Sequence, residues 1–258
     1  MKTLHAELDR LVKIMDDLRM QCPWDKVQTM QSLRHLTLEE VYELSEAVLQ
    51  KNHQDLEGEL GDVLLHIIFY CKIADEDHHF NLTSVISRLC EKLIRRHPHI
   101  YGNVKVANAD DVKANWEALK LKETASTPKG LLSGVPKAMP SLLKAYRMQE
   151  KASAVGFDWP NTSEAWLKVF EELEEFKHEL QHGTIQQKTE EFGDLLFSLI
   201  NVARHTGINP EDALAFTNNK FKKRIEYMED TLHKEHKKLH DASLSRLEEL
   251  WEQAKSSE

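Results

Sequence analysis

The feature of this sequence with the clearest chemical potential is a set of carboxylates in a fixed pattern. Glu39-Glu40-Val41-Tyr42-Glu43 is followed by Glu59-Leu60-Gly61-Asp62. On a helix, residues three or four apart share a face. Glu40 and Glu43 therefore point one way on one helix, and Glu59 and Asp62 do the same on the next. The pattern returns 132 residues later as Glu171-Glu172-Leu173-Glu174-Glu175 and Glu191-Phe192-Gly193-Asp194. Glu43 and Glu59 are separated by 16 positions, as are Glu175 and Glu191. An apolar run follows each time, Val63-Leu64-Leu65 and Leu195-Leu196-Phe197.

Two short-looped helices pack antiparallel at about 8–10 Å, so each pair brings its carboxylates face to face. Such carboxylates repel unless their pKa values rise or a cation neutralises them. All-oxygen ligation suits Mg²⁺, Mn²⁺ or Ca²⁺ rather than Zn²⁺ or copper. An acidic run on a helix is ordinarily a solvated face. Here each second motif abuts an apolar run and the whole arrangement repeats, which favours a cage for Mg²⁺, with Mn²⁺ as the alternative. A di-iron bundle would need Glu-x-x-His on two helices. Glu175-Phe176-Lys177-His178 supplies one, but the first copy has Glu43-Leu44-Ser45-Glu46. His66 lies four residues after Asp62, yet its counterpart is Ser198. The histidines do not follow the repeat, so the ligation reads as oxygen-only.

Cations complete the pattern. Lys220 and Arg224 are four apart, and Lys92 and Arg96 match them. A metal cage with a Lys/Arg pair is what a polyphosphate requires, although alone the pair would read as an exposed basic face. No Gly-x-x-x-x-Gly-Lys-Ser/Thr loop is present, so the chain is not of the P-loop kind. Trp251 either stacks on a base or closes a bundle core.

The elements that must hold these residues are helices. Apolar periodicity predicts them over 4–18, 36–50 with Thr37 as N-cap, 55–74, 82–96 and 109–122. Val63–Tyr70 is apolar on most sides and is expected deep in a bundle. A Pro/Gly/Ser-rich stretch over 123–140 reads as a linker. Helices follow over 141–154, 163–182, 184–206, 210–238 and 242–255. The expected architecture is all-α, two tandem helical-bundle repeats, with domains over 1–122 and 141–258. Low Gly and Pro counts, 9 and 7 in 258 residues, agree with it.

A net charge of −9 argues against a nucleic-acid surface, while local cations or a metal still allow an anionic small substrate. Cys22, Cys71 and Cys90 have no metal-ligand spacing and read as reduced thiols of a cytoplasmic protein. Residues 1–7 lack the apolar region of an export signal, and no run is long enough to span a membrane.

Taken together, the Glu-Glu-x-x-Glu and Glu-x-x-Asp motifs, Cys22-Pro23-Trp24-Asp25, Arg95-Arg96-His97-Pro98-His99 and the closing Trp251-Glu252-Gln253-Ala254-Lys255 resemble the MazG nucleoside triphosphate pyrophosphohydrolases. The resemblance covers nearly the whole chain, including its two-copy layout. It implies Mg²⁺-dependent cleavage of NTPs and dNTPs to monophosphate and pyrophosphate, a broad base range, and a homodimer. Residue by residue, it implies metal ligation by Glu172, Glu175, Glu191 and Asp194. It also implies a nucleotide site lined by Lys168, Glu171, Glu172, Gln187, Lys188, Glu190 and Asp194, with phosphate held by Lys220 and Arg224 and the nucleoside met by Trp251. Glu171 is the candidate to orient or deprotonate the attacking water. Glu40, Glu43, Glu59 and Asp62 form a second candidate metal site, and the resemblance favours the C-terminal copy as the catalytic one. The alternatives are a non-catalytic nucleotide-binding or regulatory module, and a hydrolase of another pyrophosphate.

Overall fold

The computed structural model describes residues 3–108, 111–112, 115–116, 119 and 130–257. Every regular element among the described residues is helical. The chain divides into two compact units, Met1–Val112 and Lys113–Glu258. Of the predicted linker over 123–140, Gly130–Pro140 is free of helix and 123–129 lie outside the described residues. Of the predicted helix over 109–122, Asp111, Val112, Asn115, Trp116 and Leu119 are helical, and the rest lie outside the described residues. No described helix is long and apolar enough to cross a membrane.

The first unit contains α1 (Leu4–Gln21), α2 (Met30–Gln50), α3 (His53–Glu76) and α4 (Leu82–Arg96). Its core gathers Met15 of α1, Leu33 of α2, and Ile68, Phe69 and Ile73 of α3. Helix α2 begins six residues earlier than its periodicity suggests. Thr29 caps it, exchanging hydrogen bonds with Ser32 in a capping box. Thr37 is thus not a cap. It lies inside the helix, its hydroxyl donating to the Leu33 carbonyl at 2.9 Å.

The second unit contains α5 (Ser141–Ser153), α6 (Thr162–His182), α7 (Ile185–His205), α8 (Pro210–Lys234) and α9 (Leu244–Ser256). Ala165 and Val169 of α6 pack with Val202 of α7. Met228 and Leu232 of α8 pack with Leu250 of α9. Buried Gln149 of α5 donates to the Phe197 carbonyl of α7 at 2.8 Å, which ties α5 to the hairpin.

Both carboxylate-bearing hairpins, α2–α3 and α6–α7, turn within two residues. In the first, Lys51 adopts a left-handed conformation (φ 56°) and Asn52 caps α3 by accepting from the Gln54 and Asp55 amides. In the second, Gly183 allows a close approach, since a Cβ there would stand 2.9 Å from the Glu179 carbonyl oxygen. Thr184 then caps α7 in a box with Gln187.

The apolar run of α3 is less deeply set than its composition suggests. Ile68 and Phe69 are buried, but Leu60, Leu64 and Ile67 are exposed. Only one side of α3 is covered by α1, α2 and α4, and these three residues occupy the other. Phe192, Leu196 and Leu199 are exposed at the corresponding positions of α7.

Candidate functional site

In the second unit the α6–α7 hairpin brings the predicted carboxylates together. Glu172, Glu191 and Asp194 each place an oxygen within 4.8 Å of the others, and Glu171, Glu172 and Glu175 do the same. Glu172 belongs to both groups and is buried, whereas Glu171, Glu175 and Asp194 are exposed and Glu191 is half-buried. Burial pushes the Glu191 carboxyl above the usual range, and the charges of Glu175, Asp194, Glu172 and Glu179 add to it.

A lysine already meets this negative charge. Lys168 Nζ lies 2.5 Å from Glu172 and 2.7 Å from Glu171, one helical turn away on α6. Its hydrogen bonds to Glu171 and Glu172 raise the ammonium pKa well above the ordinary lysine value. In the first unit the equivalent position is Leu36, so the two cages are not electrostatic copies.

The first unit groups Glu40 with Glu59 and Asp62. Glu43 lies outside that triad, yet its charge helps raise both neighbours. Burial raises the Glu40 carboxyl, followed by the charges of Asp62, Glu43 and Glu39. Burial raises Glu59 too, followed by Glu43, Asp62, Glu40 and Asp55. Glu59 Oε2 is buried without a hydrogen-bond partner. A buried, unpaired carboxylate oxygen inside a cluster of carboxylates with raised pKa values fits a hard divalent cation. The same oxygen donor set, without the orphaned atom, occurs in the second unit.

The remaining predicted residues are more scattered in role. Gln187 Oε1 accepts from the Thr184 amide and hydroxyl, so this side chain serves the α7 cap. Lys188 is half-buried, and Glu190 is exposed and accepts from Gln186 at 2.9 Å. Lys220 is exposed on α8. Arg224, one turn on, lays its guanidinium carbon 5.0 Å from the Trp251 ring centre, and Phe221 meets the same indole at 5.5 Å. Trp251 packs against the Met228–Leu232–Leu250 core, so in this structure it closes the α8–α9 core and stacks with arginine.

Two groupings escaped the sequence reading. Thr37, His66 and Tyr70 form a hydrogen-bonded set beside Glu40. The only signal for it was the i,i+4 spacing of Asp62 and His66, set aside because it does not repeat. Asp158, in the loop after α5, pairs with Arg204 and with His205 at the end of α7. Forty-odd intervening residues hid that pairing.

The MazG nucleotide pyrophosphohydrolase domain model matches the chain twice, over residues 28–101 and 161–228, and so covers both hairpins. Over 98% of both chains, the sequence is 36% identical to the nucleoside triphosphate pyrophosphohydrolase of Escherichia coli (strain K12). It is 38% identical to the nucleoside triphosphate pyrophosphohydrolase/pyrophosphatase MazG of Thermotoga maritima, over 100% of this chain and 99% of that one. It is 43% identical to the uncharacterized protein YabN of Bacillus subtilis (strain 168), matching all of this chain and 53% of YabN. With both hairpins matched and the similarity running end to end, the chain belongs to the MazG nucleotide pyrophosphohydrolase family.

Proposed function

We propose that the chain is a hydrolase that cleaves nucleoside triphosphates, ribo- and deoxyribo-, to the monophosphate and pyrophosphate, with little selectivity for the base. The observation that carries this is the doubled carboxylate grouping around buried Glu172. The names of two nearly full-length relatives, both nucleoside triphosphate pyrophosphohydrolases, support the same chemistry. The domains doing the work are read as 1–122 and 141–258, the second being the catalytic one.

Glu172, Glu175, Glu191 and Asp194 would hold the cation, Mg²⁺ by preference and Mn²⁺ as a substitute. When bound, it neutralises phosphate charge and acidifies a water molecule. Glu171, exposed beside the cage, accepts the proton of the attacking water at a carboxylate oxygen. Attack at the α-phosphorus breaks its bond to the α–β bridging oxygen, and pyrophosphate leaves. Lys168, Lys220 and Arg224 offset the charge of the phosphates, and Gln187, Lys188 and Glu190 border the nucleotide. Trp251 meets the nucleoside once Arg224 turns from the indole to phosphate.

The active form is read as a homodimer in the cytoplasm. The exposed triplets Leu60, Leu64, Ile67 and Phe192, Leu196, Leu199 are helical stripes of the kind a second copy covers. The three cysteines are free thiols, as a reducing compartment would keep them.

Product analysis tests the activity. With dGTP and Mg²⁺ the expected products are dGMP and pyrophosphate. Release of orthophosphate instead would sink the reading, and binding without turnover would leave a nucleotide-binding module. Glu172→Gln is expected to lower kcat by about a hundredfold or more. An unchanged kcat would mean the site is misassigned.

A further inference from the structure

The two hairpins carry the same carboxylates but meet their charge differently. In the second unit the Glu172 side chain is 8% exposed, and a carboxylate so deeply set needs a counter-charge. Lys168 supplies it from the preceding turn of α6, since residues four apart share a face. Its Nζ lies 2.5 Å from Glu172 and 2.7 Å from Glu171. In the first unit the matching residue is Leu36, which packs against the core around Met15, Leu33 and Phe69. Among the described residues, no lysine or arginine pairs with Glu40, Glu43, Glu59 or Asp62, and His66 Nε2 stands 4.0 Å from Glu40, beyond hydrogen-bond reach. Glu59 Oε2 is buried with no partner, whereas no described carboxylate oxygen of the second unit is in that state.

An ammonium and a divalent cation compete for the same oxygens. Lysine stays charged at neutral pH, so Lys168 yields the cage only by turning its side chain away. That side chain is 33% exposed, and its four-carbon stem is flexible enough to swing. A cation that enters with Lys168 in place meets a like charge close by and finds oxygens of Glu171 and Glu172 already engaged. A triphosphate changes the balance, because its oxygens accept the displaced ammonium. Metal and nucleotide then favour each other's binding.

We propose that Lys168 is a movable counter-ion that couples metal loading of the second unit to nucleotide binding. It rests on Glu171 and Glu172 while the nucleotide is away, and passes to phosphate when metal and nucleotide enter together. This rests on the reading of both carboxylate groups as cation sites. The first unit, with Leu36 in that place, takes its ion without nucleotide. The catalytic ion is thereby assembled only where there is a substrate to hydrolyse.

The test reads metal binding itself, with the full-length, chelator-treated protein and Mn²⁺ alone, followed by electron paramagnetic resonance. The unmutated protein should bind one Mn²⁺ per chain tightly and a second about tenfold or more weakly. Glu59→Gln should remove the tight site, and Glu191→Gln the weak one. Lys168→Leu, which installs the residue of the first unit, should tighten the weak site about tenfold. It should also weaken binding of the α,β-methylene analogue of dGTP at saturating Mg²⁺ by about tenfold. Opposite signs mark a counter-ion that moves between two partners, whereas a lysine that only holds the fold shifts both affinities the same way. Lys168→Gln, which keeps a polar side chain, should act in the same two directions. Mn²⁺ affinity unchanged or weakened in both Lys168 variants would overturn the proposal. Two equally tight sites in the unmutated protein would overturn it as well, and that measurement needs no variant to fold. If neither Glu59→Gln nor Glu191→Gln alters Mn²⁺ binding, the carboxylate groups are not cation sites, and the reading beneath the proposal falls with it. Pyrophosphate release is judged on its own product assay.

Discussion

At the scale of single residues, the positions that matter most are those where the two repeats differ. Lys168 stands against Glu172 where the first unit has Leu36, and His66 faces Glu40 where the second has Ser198. The same carboxylate pattern is thereby placed in two electrostatic settings. Asp158 shows a different use of charge. Burial alone would raise its carboxyl, but hydrogen bonds from Arg204 and Ser153 and the Arg204 charge more than reverse this, to about 2. Its folded pKa lies below the unfolded value of about 3.9. The stabilisation is therefore full above pH ~4 and is lost as pH falls through about 2. Asp158→Asn should cost about 1–2 kcal/mol at pH 7. Urea unfolding of the two proteins from pH 7 down to pH 2 should show the gap closing at the acid end. A gap of constant size would mean that the ion pair is not its source.

At the scale of elements, the hairpin turns set the geometry of each cage, because one residue more or less would rotate one helix's carboxylates by about 100°. The caps define those turns. Thr184 and Gln187 satisfy each other's amides at the start of α7, and Asn52 accepts from the Gln54 and Asp55 amides at the start of α3. Thr184→Ala should lower stability by about 1 kcal/mol in denaturant titrations. The effect on pyrophosphate release should exceed that of Thr29→Ala, because α7 carries Glu191 and Asp194 a few residues on. Helix positions were largely legible in the sequence, since apolar periodicity is local: α4 falls on 82–96 as its pattern indicates. The start of α2 was not. Thr37 looked like a cap because a short polar residue precedes an apolar-periodic run. What Thr37 bonds to depends on His66 and Tyr70, which reach it from another helix.

At the scale of the molecule, each unit leaves an apolar stripe at matched positions of its second motif helix, Leu60–Leu64–Ile67 and Phe192–Leu196–Leu199. Covering such stripes is a reason for a chain to associate with itself. Sedimentation equilibrium should find a dimer, and Leu64→Glu combined with Leu196→Glu should shift it to monomer. A monomeric unmutated protein would remove the homodimer from the proposal. The sequence by itself determined the helical class and the tandem repeat, and it predicted two groups of four carboxylates, Glu40, Glu43, Glu59 and Asp62, and Glu172, Glu175, Glu191 and Asp194. These follow from spacing along one helix and the length of one turn, and both are written in order along the chain. Only the tertiary structure decided which partner each carboxylate has. It set Lys168 against Glu172, His66 Nε2 against Glu40, Glu59 Oε2 without a partner, and Arg224 over Trp251. Those pairings depend on which side chains packing aims into the space beside each motif. Two nearly identical acidic motifs can therefore become chemically different sites.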